Sequence, residues 1–567
     1  MKELSAEKRA LLAGVLSLLV IVAWSYFFAP KPKPQPPAPP PAAAQPATPP
    51  ATQPGTSAPA GVKPATPSSP QAKAAAEEET IVMENGLYRV QFSNRGAVVR
   101  SWVLKKYKDD NKPARPLDLV HADAAQKFGW PFSLALDDAA LEQQVNAALY
   151  EVTPAGGALS APAEVRFDWS DGRTAVTKKL KFESGSYVIQ LETSVTVDGQ
   201  PRAHSVAWRG GFGDPTVFKA AEHVQVFFSA GGKITNLQFK NLGVPDQPAQ
   251  RQRRAGSADY GGIEDLYFAA AFVPAAAGTL TLTDWKLDRD VVVEGQPAKE
   301  PLSEIAVSAE GAGPLALRVF VGPKDLDILK AQQPPLNQLV QFGWLEFIAA
   351  PLFYLLRWIH NYIPNYGWAI ILMTVAINMV LFPLKLKSWR SMQKMQKVQP
   401  EVKAIQDRYK KYSMRDPRKQ QMNQEIMEIY KHQGINPVGG CLPMLLQMPI
   451  WFGLYRMLTV TIELRHAPWM IWIHDLSVKD PYYILPILMG ITMYAMQKMT
   501  PTTAADPAQQ KMMTMMPLMF GGMFIIFPVS SGLVLYILSS NVVGILQQWY
   551  LNRNAPADLK PGRGKKK

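Results

Sequence analysis

Four uncharged polar side chains stand out by position: Thr374, Asn378, Gln447 and Asn541 each lie inside a long apolar run. Thr374 and Asn378 are four residues apart and so share one face of a helix. A primary amide in such a run is costly unless it meets a partner or water. The chemistry open to these groups is hydrogen bonding in a low-dielectric layer, as glue between helices or as the wall of a wet path. Bond-making chemistry has few candidates. The chain has one cysteine, Cys441, which excludes an internal disulfide framework and a cysteine-rich metal site. His121, His204 and His223 lack ligand-like spacing. No G-x-S-x-G, H-E-x-x-H or phosphate loop occurs. No carboxylate pair singles itself out for sugar chemistry, so the residues read as no enzyme and call for no cofactor, metal or nucleotide.

The elements that carry these side chains are apolar spans. Trp368 to Leu384 is uncharged over seventeen residues, roughly 25 Å as a helix, close to a hydrocarbon core. Lys385, Lys387 and Arg390 follow at once and mark a cytoplasmic end. Further spans read as Cys441–Val460, Tyr482–Met496, Met513–Phe527 and Gly532–Leu546. At the start, Lys2, Lys8 and Arg9 precede an uncharged run from Ala10 to Ala29, read as an uncleaved signal anchor over residues 1–29 with its N-terminus inside. A cleaved signal is the rival. Residues 340–363 carry Glu346, Pro351, Arg357 and several Trp and Tyr, which suit a helix lying on the membrane. Six spans in all then place every strongly basic short segment on one side, so both termini are expected in the cytoplasm. The net charge of +14 reads as topology information rather than as a nucleic-acid footprint. Twenty-one of 23 methionines fall at or after Met373, which suits a surface that accepts many partners.

Between the first and second spans lie two other textures. Residues 30–79 are a Pro/Ala-rich linker that builds no core. Residues 80–335 show alternating or β-branched runs such as YRVQFSN, TAVTKKLKF, YVIQLETSVTV and LALRVFVG, separated by turn residues. They predict an all-β sandwich that acts as a binding or spacer module, closing with a short helix over Lys324–Gln332. After the second span, residues 388–435 predict a helical hairpin broken at SMRDP. From Lys385 to Lys431 it holds thirteen Lys/Arg against five Asp/Glu. Lys385, Lys387, Arg390, Arg408, Lys410 and Lys411 make it either a topology determinant on anionic lipid or a docking arm for ribosomes and incoming chains. Residues 551–567 form a basic tail.

Four long motifs occur in order: NPVGGCLPMLLQMPIWFGLY, ELRHAPWMIWIHDLSVKDPYYILPILMG, QKMTPTTAADPAQQKMM and FPVSSGLVLYILSSNVVGILQQ. They resemble the YidC/Oxa/Alb membrane protein insertases, in the bacterial form with a large periplasmic domain. The resemblance covers the whole chain in layout and is motif-specific from about residue 340 to 550. It implies an α-helical polytopic membrane protein of the inner membrane with a five-helix core over 366–550, joined to a periplasmic β-supersandwich. It implies insertion of nascent membrane proteins into the lipid bilayer, alone or with the Sec translocon, without nucleotide hydrolysis. The path would be a hydrophilic groove open to cytoplasm and lipid. By matching position, Thr374 and Tyr536 fall where the family contacts a substrate helix, and Cys441 and Pro443 begin a span that also lines the path. Many family members carry an arginine four residues after the threonine. Asn378 stands there in this chain, so the resemblance supplies no fixed charge at that point. A polytopic transporter of lipid or a small molecule is the alternative, although no repeat or paired intramembrane charge speaks for it.

Overall fold

The computed structural model describes residues 71–554, apart from 112, 218–219, 240–241, 243–251, 277, 294–295, 310–312, 413–415, 436–441, 501–506 and 528. The expected signal anchor at 1–29, nearly all of the linker and most of the basic tail therefore lie outside the described residues. The described chain divides into two compact units. One holds the residues up to Leu355 together with Ile450–Ala467; the other holds Leu356–Pro449 and Pro468 onward.

The first unit is built on β structure. Its largest sheet has ten strands, and two five-stranded sheets flank it. Alternation dictates the faces. In Thr174–Phe182, Val176, Leu180 and Phe182 are buried while Lys181 is exposed. Phe92 of one small sheet packs on Phe167 and Phe182 of the large one. Phe132, beside the other small sheet, meets Phe272 edge-on. Gly261 lies against Leu282 so closely that a Cβ would come within 2.4 Å of its side chain. Two departures from expectation occur. The runs LTLTDWKL and DVVVEG, which read as two separate strands in the sequence, form one strand, Leu280–Val293, and Gln296–Ala309 pairs with it along its full length. Two short helices, Ala122–Phe128 and Ala139–Ala147, interrupt the strands. The closing helix runs over Leu326–Lys330.

Three buried cations are held in this unit: Lys178, Lys324, which donates to the buried Glu264 at 3.1 Å, and Arg465. Lys178 is 1% exposed, and its ammonium donates to the carbonyls of Gly96, Ala97 and Phe132 at 2.7, 3.1 and 2.8 Å. Burial pushes its pKa down to about 7. Arg465 enters from the segment Ile450–Ala467 and bonds Asp214, which is itself buried. Its guanidinium also lies 5.4 Å from the Tyr267 ring and 5.6 Å from the Phe268 ring.

The other unit is helical. Helix α1 (Glu346–Tyr362) buries Phe353, Leu356 and Ile359 and exposes Phe347, Tyr354, Trp358 and Tyr362 on the opposite face. It starts in the first unit and ends in the second. Helix α2 runs unbroken from Tyr366 to Arg408, through Pro383 and Pro400. The first arm of the expected hairpin is thus no separate helix but the continuation of the second span. Proline disturbs the turn before it, yet the strong helix formers Lys, Gln, Met and Glu after Leu384 carry the helix on. Helix α3 (Arg418–His432) folds back as the second arm. Its Ile426, Ile429 and Tyr430 pack on Met395, Val398 and Val402. Helices α4 (Leu442–Val460), which passes into the first unit at Ile450, α5 (Ile484–Met499), α6 (Pro507–Ile526) and α7 (Ser531–Arg553) complete the set. Gly490 and Gly521 let α5 and α6 approach: a Cβ on Gly521 would lie 3.2 Å from the Gly490 Cα. Among the described residues, two helices, α2 and α7, are long and apolar enough to cross a membrane.

Two expectations follow for the β unit. Arg465→Met leaves the Asp214 carboxylate buried without its partner and destabilises the unit by about 3–5 kcal/mol, read by thermal unfolding of the detergent-solubilised chain. Glu78 accepts hydrogen bonds from Ser93, Arg95 and Arg100, and these hold its pKa at about 2 against an ordinary 4.5. Its contribution is therefore complete above pH 4.5 and vanishes as pH falls through about 2. The melting-temperature difference between wild type and Glu78→Gln shrinks across that window.

Candidate functional site

A helix turns about 100° per residue. On α2, Asn378 and Lys385 then lie within roughly 40° of Thr374 around the axis, whereas Lys387 and Arg390 lie on the far side. On α7, Tyr536, Ser540 and Gln547 likewise share a face, and Asn541 sits roughly 140° from Tyr536. The two polar faces meet.

The contacts form one seam. The Thr374 hydroxyl donates back to the Ile370 carbonyl at 2.7 Å. The Asn378 amide donates to the Thr374 carbonyl at 2.8 Å and to Ser540 Oγ across the interface at 3.3 Å. Lys385 Nζ donates to Asn378 Oδ1 at 2.6 Å and to Gln547 Oε1 at 3.2 Å. Gln547 returns a bond to the Asn378 carbonyl at 3.1 Å. Below this network Trp389 packs on Leu551, and its indole donates to Asn552 at 3.1 Å. Gln447 of α4 donates to the Tyr536 hydroxyl at 3.0 Å.

The expected site residues are thus distributed unevenly. Thr374, Asn378 and Lys385 come together on α2, and Gln447 and Tyr536 form a second pair. Asn541 instead donates to Thr492 on α5 at 3.3 Å, off the seam. Cys441 lies outside the described residues, and Pro443 is placed within α4 without a described side chain. Thr374, Asn378 and Tyr536 are buried rather than open to an aqueous groove. In a low dielectric, amides and hydroxyls pair with one another when no other partner is present. Lys387, Arg390, Arg408, Lys410 and Lys411 are exposed, as a docking surface requires; Arg408 also pairs with Glu425 between the two arms at 3.4 Å. Lys385, grouped with them from sequence, points into the seam. Gln547 went unrecognised, although its spacing from Tyr536 repeats the Thr374–Lys385 interval. Around α6, Met515, Met516, Met519 and Phe520 are exposed and give a methionine-rich apolar face.

Similarity to known proteins places this arrangement. Residues 358–558 match the family described as 60Kd inner membrane protein, and residues 80–355 match the YidC periplasmic domain. The chain is 36% identical over 560 residues to a membrane protein insertase YidC from Geobacter metallireducens, covering 97% of this chain and 99% of that one. A relative of the same name from Geobacter sulfurreducens is 37% identical over 556 residues, covering 97% and 98%. A crystal structure titled as an active YidC insertase aligns with 84% of this chain and 94% of its own, at 16% identity and a TM-score of 0.35. By its full-length kinship, this chain belongs to the YidC family of inner-membrane proteins with a periplasmic β domain.

Proposed function

We infer that this protein is a membrane protein insertase: it passes newly made membrane proteins into the lipid bilayer and performs no bond-making chemistry. The observation that carries the reading is the full-length similarity, at 36–37% identity, to relatives named membrane protein insertase. The transporter alternative has no support among those relatives.

The seam gives the reading its physics. Carrying a short polar tail through lipid is costly because backbone and charges lose water. Helices α2 and α7 offer hydroxyls, amides and an ammonium at the depth where water is scarce. A passing tail exchanges its lost hydration for these groups, while the seam's own pairs open one by one. The apolar helix of the substrate then leaves along the methionine-rich face of α6. Burial of its own surface, roughly 25 cal/mol per Å², drives the step without fuel.

The wider assignment follows from this reading. Six spans, with both termini cytoplasmic, satisfy the charge distribution. Helix α1 rests in the outer interface on its exposed aromatic face, where Trp and Tyr are favoured. The basic arms formed by the end of α2 and by α3 receive ribosomes or incoming chains, and the Sec translocon is a partner for larger substrates. Cys441 and Pro443 belong to the path at the start of α4, as does Asn541 on the α5 side.

Reconstituted into proteoliposomes without nucleotide, the protein is expected to raise the protease-protected fraction of a single-span substrate well above that of empty liposomes. Photo-crosslinkers at Thr374, Asn378 and Tyr536 are expected to capture the stalled nascent chain. A crosslinker at Arg390, on the opposite side of α2, should capture little. No gain over empty liposomes would overturn the reading, and equal capture at all four positions would remove the seam from it.

A further inference from the structure

The chain enters the β unit along one edge of its largest sheet. Lys73 and Ser170 exchange both backbone hydrogen bonds at 2.8 Å, and the Ala75 amide donates to the Leu149 carbonyl at 3.1 Å. Asn94 then holds the backbone of Glu77 and Glu79, and Glu78 bonds Ser93, Arg95 and Arg100. The entering segment is thus stitched down from Lys73 onward. Its direction is fixed as well. In an antiparallel pair, the residues before Lys73 run beside those after Ser170. These are Asp171, Gly172 and Arg173, the turn between the strands Ala163–Ser170 and Thr174–Phe182.

That turn is one wall of a cavity of about 440 Å³, and the start of the helix Ala139–Ala147 is another. Gln144 of the helix donates to Asp171 at 2.9 Å and joins the two walls next to Ser170. The lining has an apolar part, from Leu136, Leu141 and Val197, and an accepting part made of carboxylates. Asp138 caps the helix through Oδ1, which accepts from the Ala140 and Leu141 amides and leaves Oδ2. Asp137 is exposed and has no partner among the described residues. The Arg173 guanidinium is engaged by Asp198 at 3.1 Å.

We propose that this cavity seats the chain's own linker, at the run Pro67-Ser68-Ser69-Pro70. Two residues separate Pro70 from Lys73, so the linker reaches the β unit at the cavity's rim. The chemistry of the run matches the lining. Residues 64–72 carry no charge. Ser68 and Ser69 supply hydroxyl donors for the carboxylates of Asp137 and Asp138. Pro67 and Pro70 supply apolar rings for the aliphatic wall and have no N–H to bury. Proline also restricts its own backbone and that of the residue before it, which lowers the cost of ordering. A segment tethered two residues from its seat is present at an effective concentration in the millimolar range. A modest site is therefore filled in cis before a free ligand can enter. The tether then leaves the β unit at Thr66 instead of Lys73, on the far side of the cavity. The inference stands apart from the insertase reading.

The test measures thiol labelling by a maleimide on the full-length, detergent-solubilised protein, with the modified residue read by mass spectrometry. Ser69→Cys lies in the seated run, and Ser57→Cys lies in the same linker upstream of it. Ser69→Cys is expected to label about tenfold more slowly than Ser57→Cys, as follows from roughly nine-tenths occupancy of the cavity. Ala203→Trp fills the cavity from an exposed lining position and is expected to bring Ser69→Cys up to the Ser57→Cys rate. Ala140→Trp does the same from the helix side and serves if Ala203→Trp lowers the melting temperature. Equal rates for the two thiols in the otherwise unaltered chain overturn the proposal, and are the result expected if the cavity serves a separate peptide. Slow labelling of Ser69→Cys that neither tryptophan relieves overturns it as well, because the protection then arises elsewhere.

Discussion

A polar side chain inside a hydrocarbon layer has no water to turn to, and this constraint registers α2 against α7. Each group on the shared face must find its partner in the protein. Thr374 turns to its own helix, Asn378 reaches both its own helix and Ser540, and Gln547 answers Asn378 from the other side. Sliding either helix by one residue rotates its polar side chains by about 100° and strands several of them in lipid. Apolar packing between α2 and α7, such as Trp389 on Leu551, tolerates small shifts; the polar bonds do not. The seam fixes which faces meet, and the methionine-rich and aromatic surfaces around it are left free to deform.

The β unit obeys the same rule under different conditions. Its solvent is water, and its core is closed by aromatic contacts between sheets, so a buried charge there can be satisfied once and left alone. Lys178 and Arg465 are both treated in that way.

Much of this organisation was legible in the sequence. Runs of alternating apolar residues announced strands such as Thr174–Phe182 and Val188–Val197, and uncharged runs bounded by lysine and arginine announced the helical region. Among the missed strands, Tyr260–Glu264 and Phe268–Pro274 are rich in Gly and Ala and buried along nearly their whole length. They show no alternation, and each holds a single β-branched residue, Ile263 and Val273. The seam was half legible. Thr374 and Asn378 were conspicuous because they interrupt an apolar run. Gln547 was overlooked because it lies one residue past the expected end of its span, where a glutamine attracts no notice. Lys385 was grouped with its basic neighbours for the same reason, since a charge at a span boundary reads as a topology signal. Asn541 was placed in the path by its polarity, although its angular position puts it against Thr492. Side-chain direction, rather than residue type, separated these cases.

The continuity of α2 has a mechanical consequence. At 1.5 Å per residue its 43 residues make a rod of about 64 Å, of which about 35 Å extends beyond Lys385. A hinge at residue 388 would have isolated the two halves. A rod instead converts a tilt of about 10° at the seam into a swing of about 6 Å at Arg408. A displacement at the seam is thereby felt at the far tip of α2, and a load on the tip is felt in the seam.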